Sequence, residues 1–439
     1  MNHTTIEPFR FGIETLIEQP QGATLVTATE AKPAERTAIE GVTDLLAGKR
    51  VALLSHPAGV DRALVPSIEL LAARLSEPSL GGARLTALFG PQHGIRGEKQ
   101  DNMVESYDEV DSATGLPTYS LYGTTRRLTD QMIDSFDVLL VDLQDVGVRV
   151  YTFLTTLAYL AEDLDRKPGK ELWVLDRPNP TGRAVEGLKL EAGHESFVGV
   201  APVPMQHGLT LGEFVLWYRA HRNLATTVRV VPMTGWDPNQ ARTAWPADRI
   251  WVPPSPNMPS LATARSYPGT VMLEGTTLSE GRGTTRPLQS FGYPGLDWRA
   301  IVQQVRQLTA TSDLPEGVLA GTAVRKVTFQ PTFHKHQGVP TAGLDLVPLG
   351  SFFDPARFRP FRLIAAVLKA IRSLYPDLVL WTEPPYEYEY ERRPIDVITG
   401  GMRLRQWVDT PDAGWEQIAA PLDEEEEQWR AASTPFRWY

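Results

Sequence analysis

The stretch FDVLLVD (136–142), followed by TFLTTLAYLAEDLD (152–165), decides the fold class. The first segment is an uninterrupted apolar run, which is typical of a parallel strand buried on both faces, and the second has helical spacing. The same alternation of strand and helix patterns continues on both sides. The further strand candidates are KRVALLS (49–55), ARLTALFG (83–90) and ELWVLD (171–176), and a further helix candidate is PSIELLAARLS (66–76). This alternation predicts an α/β protein with a Rossmann-like parallel sheet.

Polar residues follow each of the four predicted strands. They are Ser55-His56-Pro57, Gly90-Pro91-Gln92-His93, Asp142-Leu143-Gln144-Asp145 and Asp176-Arg177-Pro178-Asn179. Ligands of open α/β sheets bind outside the carboxyl ends of the strands, so we expect these ends to form one crevice. Ordinary strand-terminating turns are the alternative. They explain the prolines and glycines, but explain the accumulated His, Gln and Asp less well.

The length and a change of character along the chain predict more than one domain. A chain of 439 residues is longer than a domain with a single hydrophobic core usually is. The Pro- and Trp-rich segment WPADRIWVPPSPNMPS (245–260) is typical of an extended inter-domain connection. We expect an N-terminal extension (1–40, a tail or an edge addition), a Rossmann-like domain (41–240) and a smaller α+β C-terminal domain (241–439), with a cleft between the last two.

Within the C-terminal part, the pattern predicts a helix near 298–309, a strand at TAVRKVTFQPTF (322–333) and a helix within 355–376. The acidic run Asp423 to Glu427 is expected to be a solvated helix face.

Composition excludes several classes of function. The formal charge of −10, without a dense Lys/Arg block, argues against nucleic acid as a partner. Without cysteine there are no disulfides, thiol nucleophiles or Cys-ligated zinc.

Several sequence motifs of known chemistry are missing. The chain has no GxGxxG, Walker A, HExxH or GxSxG motif, so we expect no cofactor, no metal and no serine triad. No secretory signal or membrane span is recognisable, which predicts a soluble, cytoplasmic protein unless a leader was removed.

The loop EGTTLSEGRGT (274–284) is the first candidate for chemistry. It places Glu274, Glu280 and Arg282 among small residues, and its glycines allow sharp turns and close approach to a ligand. Two carboxylates on such a loop suit acid/base work on a sugar or ester. A solvated surface turn is the alternative.

Two further loops lie just past predicted strands. GPQHGIRGEKQDNMVES (90–106) carries His93, Arg96 and Glu98, of which the arginine suits bidentate binding of an anion. A lid or plain surface loop is the alternative for this segment. QDVGVRVYT (144–152) adds Asp145, Arg149 and Tyr151, and nearby aromatic rings could stack on sugar faces or simply pack.

Nine ordered motifs together resemble one family: SHPAGVDR, LFGPQHGIRG, TGLPTYSLYG, LLVDLQDVGVRVYTFLTT, VLDRPNPTG, HGLTLGE, PPSPNMPS, YPGTVMLEGTTLSEGRGT and PIDVITG. The chain is similar over about residues 41–400 to the NamZ-type exo-β-N-acetylmuramidases, a glycoside hydrolase family. The resemblance implies release of N-acetylmuramic acid from the non-reducing end of peptidoglycan fragments, as in cell-wall recycling, with the site in a cleft between a Rossmann-like and a C-terminal domain.

Roles for individual residues follow from this resemblance as expectations. The catalytic carboxylates are expected to be Glu280 or Glu274, with Glu98 as the other. Arg96, Arg149 or Arg282 is expected to bind the lactyl carboxylate of muramic acid. The remaining expected contacts to substrate are Gln92, His93, Asp145, Tyr151, His207 and Asn257.

One position departs from the family pattern. Family members commonly carry glutamate in a PEHG motif, whereas this chain has Gln92 in Pro91-Gln92-His93-Gly94. An amide neither donates a proton as a carboxylic acid does nor acts as a nucleophile. Two alternatives to muramidase activity therefore stay open: a non-catalytic saccharide-binding protein, or a glycosidase for another N-acetylated or anionic sugar.

Overall fold

The computed structural model describes residues 8–29, 32–38, 41–97, 99, 104–238, 244–310 and 317–439. The strands of these residues are β1 (Thr24–Thr29), β2 (Lys32–Ala38), β3 (Arg50–Ser55), β4 (Arg84–Gly90), β5 (Glu109–Val110), β6 (Pro117–Ser120), β7 (Val138–Asp142), β8 (Glu171–Leu175), β9 (Glu186–Lys189), β10 (Pro204–Gln206), β11 (Thr227–Val231), β12 (Ser290–Gly292), β13 (Ala323–Phe329) and β14 (Thr341–Val347). The helices are α1 (Gly12–Glu18), α2 (Ser67–Leu75), α3 (Asp130–Asp134), α4 (Phe153–Asp165), α5 (Leu211–His221), α6 (Leu261–Thr270), α7 (Trp298–Leu308), α8 (Pro360–Leu374), α9 (Pro394–Thr399), α10 (Arg403–Asp409) and α11 (Glu416–Ser433).

The central sheet has the strand order of a Rossmann fold. Among the described residues it contains nine strands, ordered β2-β1-β11-β8-β7-β3-β4-β6-β5. The inner strands, from β11 to β6, are parallel, and β1, β2 and β5 pair antiparallel at the edges. Numbered along the chain, the parallel strands run 3-2-1-4-5-6. The predicted fold class is confirmed.

The apolar runs are explained by burial on both faces of this sheet. In β7, Val138 and Leu140 belong to the hydrophobic core on one face, and Leu139 and Val141 to the core on the other. The four predicted strands are β3, β4, β7 and β8, and all four are confirmed.

Strands β1, β2 and β11 extend the sheet beyond the predicted strands. Helix α1 packs against β8 and β11, and β1 pairs antiparallel with β11. The prediction does not include β11, because Thr227 and Arg229 interrupt its apolar run. Arg229 forms an ion pair with Glu171 of the neighbouring strand β8, with its Nε 2.7 Å from the carboxylate.

The C-terminal part of the chain is built around the buried helix α8. This helix packs against α6 and α7, and β12, β14 and β13 form an antiparallel sheet beside them. The predicted helix near 298–309 is α7, and the predicted strand at 322–333 is β13; both are confirmed. Segment 245–260 forms neither helix nor strand. No helix in the described ranges is long and apolar enough to cross a membrane.

The acidic run Asp423 to Glu427 lies on α11, and the prediction of a solvated face is wrong for part of it. Glu426 is buried, forms an ion pair with Arg362 and accepts a hydrogen bond from the backbone N–H of Gly187. Glu425 accepts one from the N–H of Lys189, at 2.8 Å. Since α11 packs against β9, these carboxylates satisfy backbone donors of that strand.

Candidate active site

A cavity lies where the Rossmann-like sheet meets the C-terminal part of the chain. On the sheet side it is lined by Gln92 and His93, which follow β4, and by Tyr151 and Thr152, which follow β7. Strands β4 and β7 flank β3, the first parallel strand, so the cavity lies beside the point where the strand order reverses. Open α/β sheets bind their ligands at this point.

The opposite wall of the cavity comes from four separate segments of the C-terminal part. Their polar and aromatic lining residues are Ser255 and Asn257, Tyr267 of α6, Glu274 and Arg282, and Tyr386 and Glu387.

The loop after β4 is fixed on both sides. The Oγ1 of Thr152 donates a hydrogen bond of 2.7 Å to the Oε1 of Gln92, and the Nε2 of Gln92 donates one of 3.4 Å to Glu387. His93 has a φ of 73°, and its Nδ1 lies 2.7 Å from the carbonyl oxygen of Lys99. A non-glycine residue with positive φ is uncommon and is often found at functional sites. The loop therefore presents Gln92 and His93 to the cavity in one arrangement.

Arg282 brings a buried positive charge to the cavity. Its Nη2 donates a hydrogen bond of 2.7 Å to the Oε1 of Glu274, whose other oxygen accepts one of 2.8 Å from the hydroxyl of Tyr386. The Nη1 of Arg282 is buried and has no hydrogen-bond partner among the described residues. Because an unsatisfied buried N–H is costly, this atom is placed to receive an acceptor from a ligand.

Glu280 lies behind Arg282 and does not line the cavity. Its carboxylate is fully buried and lies 3.0 Å from the Nζ of Lys335, 3.2 Å from the Nδ1 of His334 and 3.4 Å from the Nε of Arg282. Burial alone raises the pKa of Glu280, but these neighbours outweigh it and lower the pKa to about 2. An ionised carboxylate held in this way orients Arg282 and is a poor proton donor near neutral pH.

Glu387 is a cavity carboxylate that the sequence analysis did not single out. Its side chain is buried, and its Oε2 accepts a hydrogen bond of 2.8 Å from the hydroxyl of Tyr122. Burial raises the pKa of Glu387 above its ordinary value, and Glu274 raises it further, against the hydrogen bonds from Tyr122 and Gln92. The sequence feature that could have pointed to Glu387 is the alternation of Tyr and Glu in PPYEYEYE (384–391), shortly before the PIDVITG motif.

Two of the predicted anion-binding arginines lie away from the cavity. Arg96 is on the surface and forms an ion pair with Asp111. Arg149 is fully buried, which lowers its pKa to about 9. Its guanidinium donates to three backbone carbonyls, at 2.8, 3.0 and 2.9 Å, those of Leu188, Val203 and Ile398. Arg149 therefore ties backbone segments together, and of the three candidates Arg282 alone is placed to meet a ligand in the described part of this cavity.

Three other predicted site residues are not part of the described lining. Asp145 and His207 form a buried pair, with 3.8 Å between Oδ2 and Nε2. The same Asp145 oxygen accepts the N–H of Gly147 at 2.7 Å, so this pair supports the loop after β7. Glu98 lies outside the described residues.

Of the four polar strand ends expected to form one crevice, that of β4 lines this cavity, through Gln92 and His93, and those of β3, β7 and β8 do not. The Nε of Arg177 is 2.5 Å from the carboxylate of Asp142, and both side chains are buried. Burial lowers the pKa of His56 to about 3, so its imidazole is neutral. The hydroxyl of Tyr439 donates to Asp176 at 2.9 Å. These polar groups have partners inside the protein: His56 accepts hydrogen bonds from the backbone N–H groups of Ala58 and Gln144, and the others pair as described.

The cavity offers both polar and aromatic groups to a ligand. It combines carboxylates, an amide, phenols and a guanidinium with aromatic rings. Within the described ranges, no group of three or more His, Asp and Glu side chains is arranged to hold a metal ion.

Comparison with known proteins identifies the family of this chain. Residues 51–262 match the family described as "Exo-beta-N-acetylmuramidase NamZ, N-terminal", and residues 265–439 match "Exo-beta-N-acetylmuramidase NamZ, C-terminal". The chain belongs to the NamZ family. The peptidoglycan beta-N-acetylmuramidase NamZ of Bacillus subtilis (strain 168) is 37% identical over 356 residues, which cover 80% of each chain.

Two solved structures resemble the chain across almost the whole fold. A DUF1343 family protein from Bacteroides fragilis superposes with a TM-score of 0.77 at 28% identity, covering 98% of this chain and 99% of its own. A second DUF1343 family protein from the same organism superposes with a TM-score of 0.65 at 24% identity. The match covers 90% of this chain and 95% of that protein, and it supports the fold alone. The family predicted from the ordered motifs is confirmed.

Proposed function

We propose that this NamZ family member is an exo-acting β-N-acetylmuramidase. It removes N-acetylmuramic acid from the non-reducing end of peptidoglycan fragments and serves in recycling of the cell wall. The similar Bacillus subtilis protein carries the name of this activity. The observation that carries the proposal is the cavity, whose lining combines Arg282, with its unsatisfied Nη1, and the carboxylates of Glu274 and Glu387.

Arg282 gives the site its preference for muramic acid. N-acetylmuramic acid differs from N-acetylglucosamine by a lactyl ether that ends in a carboxylate. A buried guanidinium binds such a group with charge-assisted hydrogen bonds. Gln92, His93, Tyr151 and Asn257 contact hydroxyl or acetamido groups of the sugar.

The reaction needs a proton on the glycosidic oxygen and stabilisation of the positive charge at C1. Glu274 takes the second task, because it lines the cavity and two donors, Arg282 and Tyr386, fix its orientation. The acetamido group of the substrate can share this task, as in substrate-assisted glycosidases. The lining side chains are largely buried, which suits one terminal sugar better than a long polymer.

The test is hydrolysis of para-nitrophenyl β-N-acetylmuramide beside the corresponding glucosaminide. We expect turnover of the muramide, and a kcat/KM at least tenfold lower for the glucosaminide, because loss of one charged contact costs about 1.5–3 kcal/mol. A raised melting temperature with N-acetylmuramic acid, but no product, would instead identify a binding protein. Preference for the glucosaminide would identify a glycosidase for another sugar.

A further inference from the structure

We infer that Glu387 is the catalytic acid of this cavity and that Gln92 is its hydrogen-bond partner. This assignment rests on the proposed glycosidase function and concerns the one task, protonation of the leaving oxygen, that the cavity must still supply.

The backbone around Glu387 holds its side chain in the cavity. Tyr386 and Glu389 exchange two backbone hydrogen bonds, each of 2.9 Å, and close a two-residue hairpin turn. The two central residues, Glu387 and Tyr388, have φ values of 45° and 67°. Positive φ at both positions defines a type I′ turn, where Asn and Gly are the usual residues. A glutamate in this strained position is kept only where the surrounding structure holds it, and such positions cluster at active sites.

Two neutral groups donate hydrogen bonds to the carboxyl of Glu387 and fix its position in the cavity. They are the hydroxyl of Tyr122, at 2.8 Å, and the amide of Gln92, at 3.4 Å. Glu274 and Glu280 are bound to the cations Arg282 and Lys335, which favour the ionised form of these two carboxyls.

Several titratable and charged groups face Glu387 from the surrounding elements. Burial and the nearby Glu274 raise its pKa, whereas Arg126 and the two hydrogen bonds lower it. The net effect is a rise, which keeps the acid form to higher pH than for an ordinary glutamate. The groups around it are Tyr122 and Arg126, Tyr267 of α6, Glu274, Tyr386 and Tyr388 of the same hairpin, and His93 of the same cavity.

Gln92 fits a positioning role in this arrangement. Thr152 holds its carbonyl oxygen, so its amide N–H is directed at Glu387. In the reaction, the carboxyl of Glu387 gives its proton to the glycosidic oxygen while the C1–O bond breaks. The bonding electron pair stays on that oxygen, which leaves as a hydroxyl. Water then adds to C1, and the proton that it loses restores Glu387 to its acid form.

The test compares Glu387→Gln with wild type on two substrates. One is the disaccharide N-acetylmuramyl-β-1,4-N-acetylglucosamine, whose leaving group needs a proton. The other is para-nitrophenyl β-N-acetylmuramide, whose leaving group needs little help. We expect kcat/KM to fall about 10²–10⁴-fold on the disaccharide, and by a clearly smaller factor on the aryl muramide. Glu389→Gln, the same change two residues away in the hairpin, should leave both rates close to wild type.

A second variant tests the assignment even where Glu387→Gln fails to fold. Tyr122→Phe removes a hydrogen bond that lowers the pKa of Glu387. The acid must be protonated, so activity falls as pH rises through this pKa. The alkaline limb of the wild-type kcat/KM profile should therefore move to higher pH in Tyr122→Phe. Equal losses of Glu387→Gln on both substrates, or an unmoved limb in Tyr122→Phe, would overturn the assignment. Wild type inactive on both substrates would overturn the proposed function, and this assignment with it.

Discussion

Glu280→Gln is expected to lower the free energy of unfolding by about 3–5 kcal/mol, measured by urea unfolding at pH 7. The carboxylate of Glu280 is fully buried between Lys335, His334 and Arg282. Its removal leaves buried positive charge uncompensated. Glu77→Gln is the matched control, because Glu77 pairs with Arg74 on the surface, and such pairs contribute about 0–1 kcal/mol.

Glu280→Gln is also expected to change how the stability of the protein depends on acid pH. The pKa of Glu280 is lowered from 4.5 to about 2 in the folded protein. Its stabilisation, about 3 kcal/mol by linkage, is therefore complete above pH 4.5 and disappears as pH falls towards 2. Glu280→Gln should lose this part of the acid dependence. Full stability with abolished turnover would contradict a structural role and return Glu280 to the catalytic candidates.

Arg282→Lys is expected to lower kcat/KM for the aryl muramide by about 10–100-fold, and for the glucosaminide much less. Lysine keeps the buried charge beside Glu274 and Glu280, but it loses the Nη1 donor proposed for the lactyl carboxylate. Arg286→Lys is the control, because Arg286 lies on the same loop, pairs with Asp345 and does not line the cavity.

The comparison of the two sugars makes the Arg282 experiment specific. A simple loss of fold or of Glu274 orientation lowers both rates by the same factor. Equal losses on the muramide and the glucosaminide would therefore contradict lactyl binding by Arg282.

The sheet was predictable because parallel strands buried on both faces leave an uninterrupted apolar run. Strand β11 was not predicted, because Thr227 and the partly exposed Arg229, which pairs with Glu171, interrupt its apolar run. The burial of Glu426 in the acidic run on α11 was not predicted, because its partners, Arg362 and a backbone donor of β9, are distant in sequence.

The site was predictable in its loops more than in the roles of its residues. Gln92 and Arg282 line the cavity as expected. Composition and spacing did not show whether Arg282 or Arg149 is the ligand-binding arginine. The answer depends on which guanidinium binds backbone carbonyls and which lines the cavity, and only the fold determines that. Glu387 contacts Gln92 across 295 positions of sequence, and such a contact appears only in the fold.

The most direct test of the account is release of free N-acetylmuramic acid from N-acetylmuramyl-β-1,4-N-acetylglucosamine, with wild type and Gln92→Glu assayed together. The account predicts turnover by the wild type, because Glu387 supplies the acid and glutamine at position 92 is no obstacle. An inactive wild type beside an active Gln92→Glu would contradict it. That result would show that the acid belongs at position 92 and that the natural protein is a saccharide binder or uses another substrate.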